Sequence, residues 1–303
     1  MKRVESSNER IRKKSPMSQN KLIGGLELGG TKTVVAIGTE AGVVLEEERF
    51  ATTTPAETLD RAVAWLEERG QPSAIGIGAF GPLGVVRGQD QYGCLLSTPK
   101  EGWSDISILA TFAKAFPHAR LNIETDVNAA TLAEARLGAA KGLDDVAYIT
   151  IGTGIGAGIL AGGHLIHGAL HPEFGHLKVP RHPDDRFNGV CQFHHDCLEG
   201  LASGPAIASR WGTAAVDLSA DHPAWEMEAW YLAHGALSLL SIVAPARIII
   251  GGGVSQAEGF HEKVENILRE IAASYFHPLG EGPYIVPPAL GQQAGIAGAL
   301  LLA

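Results

Sequence analysis

Apolar positions along this chain fall into short runs separated by glycine-rich turns, and the first clear case is LIGGLELGGTKTVVAIGTEAGVVLEEERF, residues 22–50. Two apolar runs flank Gly29-Gly30-Thr31-Lys32, and a second turn at Glu40-Ala41-Gly42 leads into a third run. That pattern predicts a three-strand antiparallel meander. A helix is predicted from about Pro55 to Arg69, with proline at its start and Gly70 at its end. A short buried strand, AIGIGAF, follows, and then a loop from Gly81 to Gly102 containing Pro82 and Pro99. LNIETDVNAATLAEARLG reads as strand, turn and helix, with Asp126 at the helix N-cap and Gly138 closing the helix after Leu137.

The grammar then repeats. DVAYITIGTGIGAGILAGGHLI is again an apolar strand, a turn (Gly152, Thr153, Gly154, Gly156) and an apolar strand. The hairpins around residues 24–39 and 146–163 look like one device used twice, which points to two related α/β lobes with a cleft between them. The remainder predicts helices at about 203–211 and 224–243, a strand in ARIIIGGGV, and a helix near 260–274. A short strand YIVP precedes a last helix from about Gln292. Strands first and helices later, in each half, suggest sheets covered by helices.

Composition narrows the function. A length of 303 residues permits one or two domains with a large core. The formal charge of −9 argues against a nucleic-acid partner, which would need a basic face. No apolar run reaches membrane-spanning length. Residues 1–21 are polar and basic without an apolar core, so they are not a secretory signal and predict a disordered extension, with Met17 as an alternative start. Three cysteines are too few for a disulfide framework and fit the reducing cytoplasm, where clustered Cys and His more often mean metal.

Several clusters could carry chemistry. Glycine-rich turns directly after strands bring backbone N–H groups close to a phosphate, since no Cβ intervenes. The two hairpin turns and the later Gly251-Gly252-Gly253 are such turns, although none matches a P-loop or a dinucleotide fingerprint. Asp126 is either a helix cap or a general base. In HPEFGH, residues 171–176, Glu173 and His176 are near enough to converge on one ligand. Further on, Cys191, His194 and Cys197 are separated by two-residue gaps, and His176 would complete a tetrahedral set of two nitrogens and two sulfurs. Four protein ligands leave no open position, so a zinc there would be structural. His171, His182 and His195 are rival ligands.

Together these motifs resemble a sugar kinase of the ROK family (repressors, open reading frames, kinases), within the larger actin-like kinase fold. LELGGTK resembles the first phosphate motif, TIGTGIGAGI the second, and IIIGGGV the nucleotide-side glycines. ETDVNAA resembles the catalytic segment, and HPEFGH with CQFHHDCLEGL the substrate and zinc segment. Three departures, with STPKEGW at 97–103, resemble the bacterial fructokinase branch. Glu27 stands where the first motif usually has Asp, Thr125 where Asn usually precedes the catalytic Asp, and His194 where the zinc loop usually has a third Cys.

The resemblance implies an α/β fold of two actin-like (ribonuclease H-like) lobes. Residues 22–122 with 290–303 would form the smaller lobe, and 123–289 the larger, carrying a small zinc-binding loop. It implies Asp126 as the base that activates the sugar 6-hydroxyl, with Glu173, His176 and Glu199 binding other hydroxyls. Gly29, Gly30, Thr31 and Lys32 would face Gly152, Thr153 and Gly154 across the ATP phosphates, with Gly251, Gly252 and Gly253 on the nucleotide side. Mg²⁺ would arrive with ATP, and structural Zn²⁺ would sit on His176, Cys191, His194 and Cys197. The expected activity is ATP-dependent phosphorylation of fructose to fructose 6-phosphate by a cytoplasmic homodimer. The rivals are a mannokinase or glucokinase of broad hexose use, a sugar-sensing regulator, and a zinc-dependent hydrolase. A regulator needs an N-terminal helix-turn-helix, which 21 residues cannot supply, and a hydrolase needs an open zinc position.

Overall fold

A computed structural model describes residues 22–276 and 280–303. Residues 1–21, expected to be a disordered extension, lie outside the described residues. The first predicted meander forms as β1 (Ile23–Leu28), β2 (Lys32–Gly38) and β3 (Val44–Ala51), paired antiparallel. Helix α1 (Pro55–Glu68) follows, and Thr54 Oγ1 accepts the Glu57 N–H as its cap. Strand β4 (Ala74–Ala79) is buried at every position and lies parallel to β1, as a continuously apolar run should. Then come α2 (Ile108–Ala115), β5 (Arg120–Thr125) and α3 (Asp126–Arg136).

The second half repeats the plan with β6 (Val146–Ile151), β7 (Ile155–Ala161) and β8 (His164–Leu165). After α4 (Leu198–Ala202), α5 (Gly204–Trp211) and α6 (Ala224–Val243) come β9 (Arg247–Gly251), α7 (Phe260–Ala272), β10 (Ile285–Val286) and α8 (Ala294–Leu302). The two sheets have the same order, β3-β2-β1-β4-β5 and β8-β7-β6-β9-β10. Each is an antiparallel meander extended by two parallel strands. The repeat seen in the hairpins therefore extends to the whole sheet.

Helices α3 and α8, which end the two repeats, pack against each other between the sheets. Small residues permit this. A Cβ on Gly298 would lie 1.9 Å from the Ala129 carbonyl oxygen, and one on Gly76 would lie 1.8 Å from that of Ala299. Buried Ile296, Ala299 and Leu300 of α8 cover β1, β2 and β4, while α3 packs on β6 and β7.

Two expectations need correction. Asp126 is not the N-cap of α3 but its first residue. Thr125 has the extended backbone of a cap (φ −66°, ψ 152°), and its Oγ1 accepts the Asn128 N–H at 3.2 Å. The short helices α2 and α4 are additions to the elements that the hydrophobic pattern predicts. Ser107 caps α2 by accepting the Ala110 N–H.

Candidate active site

The strands deliver their ends to one cleft. A cavity of about 690 Å³ is walled by Glu27 of β1, Lys32 of β2, Asp126 of α3, Thr150 of β6, and the segments 252–257 and 287–295. Lys32, Gly252 and Gly253 of the expected phosphate-side residues line it; Gly29, Gly30, Thr31, Gly152, Thr153 and Gly154 do not. Gly251 closes β9 and faces Tyr148, whose hydroxyl would lie 2.2 Å from a Cβ there.

The first turn is braced from below. Gly29 N–H donates to the Lys32 carbonyl at 3.0 Å, and the Thr52 hydroxyl to the Gly29 carbonyl at 2.8 Å. Gly30 and Thr31 remain exposed at the tip. In the second turn Gly152 N–H donates to the Gly154 carbonyl, and its own carbonyl accepts the Gly204 N–H that opens α5.

Charge in the cleft is unusual. Burial pushes the Glu27 carboxyl up to about 7, with Lys32 pulling it down and Asp126 pushing it further up. Glu27 Oε2 is buried without a hydrogen-bond partner. Its carboxylate fills the space above Gly295, where a Cβ would come within 2.5 Å of Cδ. Burial also raises Asp126, opposed by the Val127 N–H on its Oδ1 at 2.8 Å and by His171 nearby.

Glu173, His176 and Glu199 converge. Glu173 immediately precedes a single 3₁₀ turn, Phe174–His176, and its carboxyl is raised by burial, lowered by His176 and raised by Glu199. Glu199, in the first turn of α4, accepts the Ile155 N–H on Oε2 at 3.0 Å. That oxygen would lie 2.7 Å from a Cβ at Gly154, so the second turn and Glu199 require each other's shape.

Behind them the four expected metal ligands come together. The ligand atoms of His176, Cys191, His194 and Cys197 all lie within 4.8 Å of one another. His176 Nδ1 is 3.8 Å from Cys191 Sγ and 3.6 Å from Cys197 Sγ, and His194 Nδ1 is 3.9 Å from Cys191 Sγ. A tetrahedron with zinc–sulfur and zinc–nitrogen bonds of about 2.3 and 2.0 Å has sulfur–nitrogen edges of about 3.5 Å, so the set fits zinc after a small contraction. Burial pushes the Cys197 thiol up to about 11. The rivals sit elsewhere: His171 accepts a hydrogen bond from Leu83 N–H, and His182 Nδ1 accepts one from the Asp184 N–H. His195 instead occupies the left-handed bend of the loop, at φ 54°.

Gly295, which makes room for Glu27, and Glu134 belong to no motif in the sequence. Glu134 is fully buried and accepts the N–H groups of Ala139, Ala289 and Leu290 at 2.6, 3.1 and 2.8 Å. It thereby ties α3 to the segment that walls the cavity. The only sequence signal was a charged residue on the inward face of an otherwise small-residue helix.

The ROK family pattern matches residues 23–303. The chain belongs to the ROK family. Among its relatives, a fructokinase of Zymomonas mobilis is 42% identical over 94% of this chain and 97% of its own length. A fructokinase of Pediococcus pentosaceus is 41% identical over 93% of this chain and 97% of its own. A ROK family glucokinase from Streptomyces griseus, solved in complex with glucose and AMPPNP, superposes with a TM-score of 0.74 at 27% identity. That match covers 93% of this chain and 99% of the other. Among the described residues no helix is long and apolar enough to cross a membrane.

Proposed function

We propose that this ROK protein is a fructokinase, transferring the γ-phosphoryl group of ATP to the 6-hydroxyl of D-fructose. The observation that carries the reading is a buried carboxylate on the cavity wall together with two further carboxylates gathered at one histidine. Asp126 stands on the wall of the large cavity, and Glu173, His176 and Glu199 gather together, with His171 lying near both Asp126 and Glu173. Relatives named fructokinase at 41–42% identity favour fructose, against 27% for the glucokinase structure.

Asp126 accepts the hydroxyl proton as oxygen attacks the γ-phosphorus, and ADP leaves with the bridging electron pair. A carboxylate raised by burial is a better base than an exposed one, because its anion is less stabilised. Glu173 and Glu199 accept from two sugar hydroxyls and fix the ring so that one hydroxyl meets Asp126. Lys32 and the glycine turns would hold the phosphates. The partnerless Oε2 of Glu27 suits an Mg²⁺ that comes with ATP, and the ion would neutralise phosphate charge. His176, Cys191, His194 and Cys197 would hold a structural zinc. Closure of two lobes, 22–122 with 290–303 and 123–289, would exclude water from the reaction.

Turnover with ATP on fructose, mannose and glucose tests the reading, with Asp126→Asn beside the wild type. Fructose should show the highest kcat/KM, and the variant should keep its fold and sugar binding while losing roughly 10²–10⁴-fold in kcat. A kcat/KM for glucose at or above that for fructose sinks the substrate assignment, and near-normal kcat in Asp126→Asn sinks the base. The reading includes a homodimer in the cytoplasm; free Cys94, Cys191 and Cys197 suit a reducing compartment, and light scattering on the purified protein tests the dimer.

A further inference from the structure

His171 stands outside the metal cluster and takes no part in the reaction described above. It is 8% exposed and lies in the segment between β8 and Glu173. Its Nε2 accepts the Leu83 N–H at 3.0 Å, which leaves the proton of the neutral ring on Nδ1. Burial holds the ring below the usual histidine pKa, in keeping with that neutral form. Nδ1 lies 3.3 Å from the Pro172 carbonyl oxygen and 3.7 Å from Glu173 Oε1.

The other side of this contact is equally constrained. Leu83 is fully buried and bridges to Leu95 within the loop that follows β4. A Cβ on Gly81 would lie 3.1 Å from His171 Cε1, so the ring is seated directly on the turn. Leu83 belongs to the loop of the first sheet, and Glu173 to a loop of the second, 90 residues later. His171 is a single side chain whose ring meets both loops, at the Leu83 N–H on one side and at Pro172–Glu173 on the other, and Asp126 lies near it.

We propose that His171 is a positioning residue for the hexose: it fixes Glu173 against the Gly81–Leu83 turn and so sets where the sugar hydroxyls meet Asp126. The inference rests on the fructokinase reading. It predicts an effect on sugar and none on nucleotide, because His171 contacts none of the segments around Lys32, 252–257 or 287–295 that wall the large cavity. Leaving the buried Leu83 N–H without an acceptor corresponds to roughly 5–150-fold in an equilibrium.

Steady-state kinetics on His171→Leu and His171→Gln, with thermal unfolding of each, test this. Leucine fills similar space but accepts no hydrogen bond, whereas glutamine can place an oxygen near the position of Nε2. His171→Leu should raise KM for fructose about tenfold or more and leave KM for ATP within about twofold, and His171→Gln should recover most of the loss. Should the leucine variant fail to fold, His171→Asn replaces it, being too short to reach Leu83, with the same expected rise. An unchanged fructose KM, an equal rise in both KM values, or a glutamine variant no better than leucine overturns the inference. A wild type that phosphorylates no hexose overturns the fructokinase reading itself. An active wild type beside an equally active His171→Leu overturns the positioning role alone.

Discussion

A carboxylate at the first position of a helix is pulled in two directions. The helix dipole and the Val127 N–H stabilise the anion of Asp126, while burial in the cleft disfavours it, and burial prevails. The sign of the pH effect follows. The folded carboxyl holds its proton to a higher pH than an ordinary aspartate, so the basic form is lost early on acidification. We expect kcat/KM for fructose to fall on the acid side with a midpoint clearly above the ordinary 3.8, and Asp126→Asn to lack that limb in its residual activity. A wild-type acid limb at or below 3.8 contradicts it. Which residue caps α3 was not legible locally. Thr125 and Asp126 are both good capping types, and the choice is set by the strand geometry that leaves Thr125 extended. With Thr125 capping and 4% exposed, its hydroxyl is committed to the backbone rather than to a sugar.

Between elements, α3 is the piece that organises the site. It begins at the proposed base and, two turns on, clamps residues 289–290 through Glu134. A buried carboxylate that accepts several N–H groups keeps its charge satisfied. Removing it strands those donors, at about 1–3 kcal/mol for each lost partner. Glu134→Ala should therefore lower unfolding stability by roughly 3 kcal/mol or more in a denaturant titration, and a loss under about 1 kcal/mol would show the donors are met in another way. The hairpins and long helices were readable because glycine turns and apolar runs are local signals. Helix α2 was not, since ILATFAKA is short and mixes apolar positions without a clear period, and α4 has only five residues. Contacts such as Leu83 with His171 and Leu290 with Glu134 join residues 88 and 156 apart, which no local pattern encodes.

Across the molecule, the proposed metal set would link stability to substrate binding. Cys197 is fully buried and is the N-cap of α4, and Glu199 lies in the first turn of that helix. Loss of a ligand should loosen the start of α4 and with it the Ile155–Glu199 hydrogen bond. We expect Cys197→Ser to lose metal by elemental analysis, melt at lower temperature and raise KM for fructose together. Full metal content with unchanged KM would separate the two. The four-residue cluster was legible because three of its members are close in sequence, and only His176 had to be supplied from upstream.

The position of α8 bears on how the chain is made. Its residues Ile296, Ala299 and Leu300 cover a face of β1, β2 and β4, yet they follow both sheets in chain order. At about 5–20 residues per second of synthesis, that face waits tens of seconds for its cover. During that interval on the ribosome the first sheet presents Val34, Ala36 and Ile23 to water, a surface suited to chaperone capture and to self-association of nascent chains.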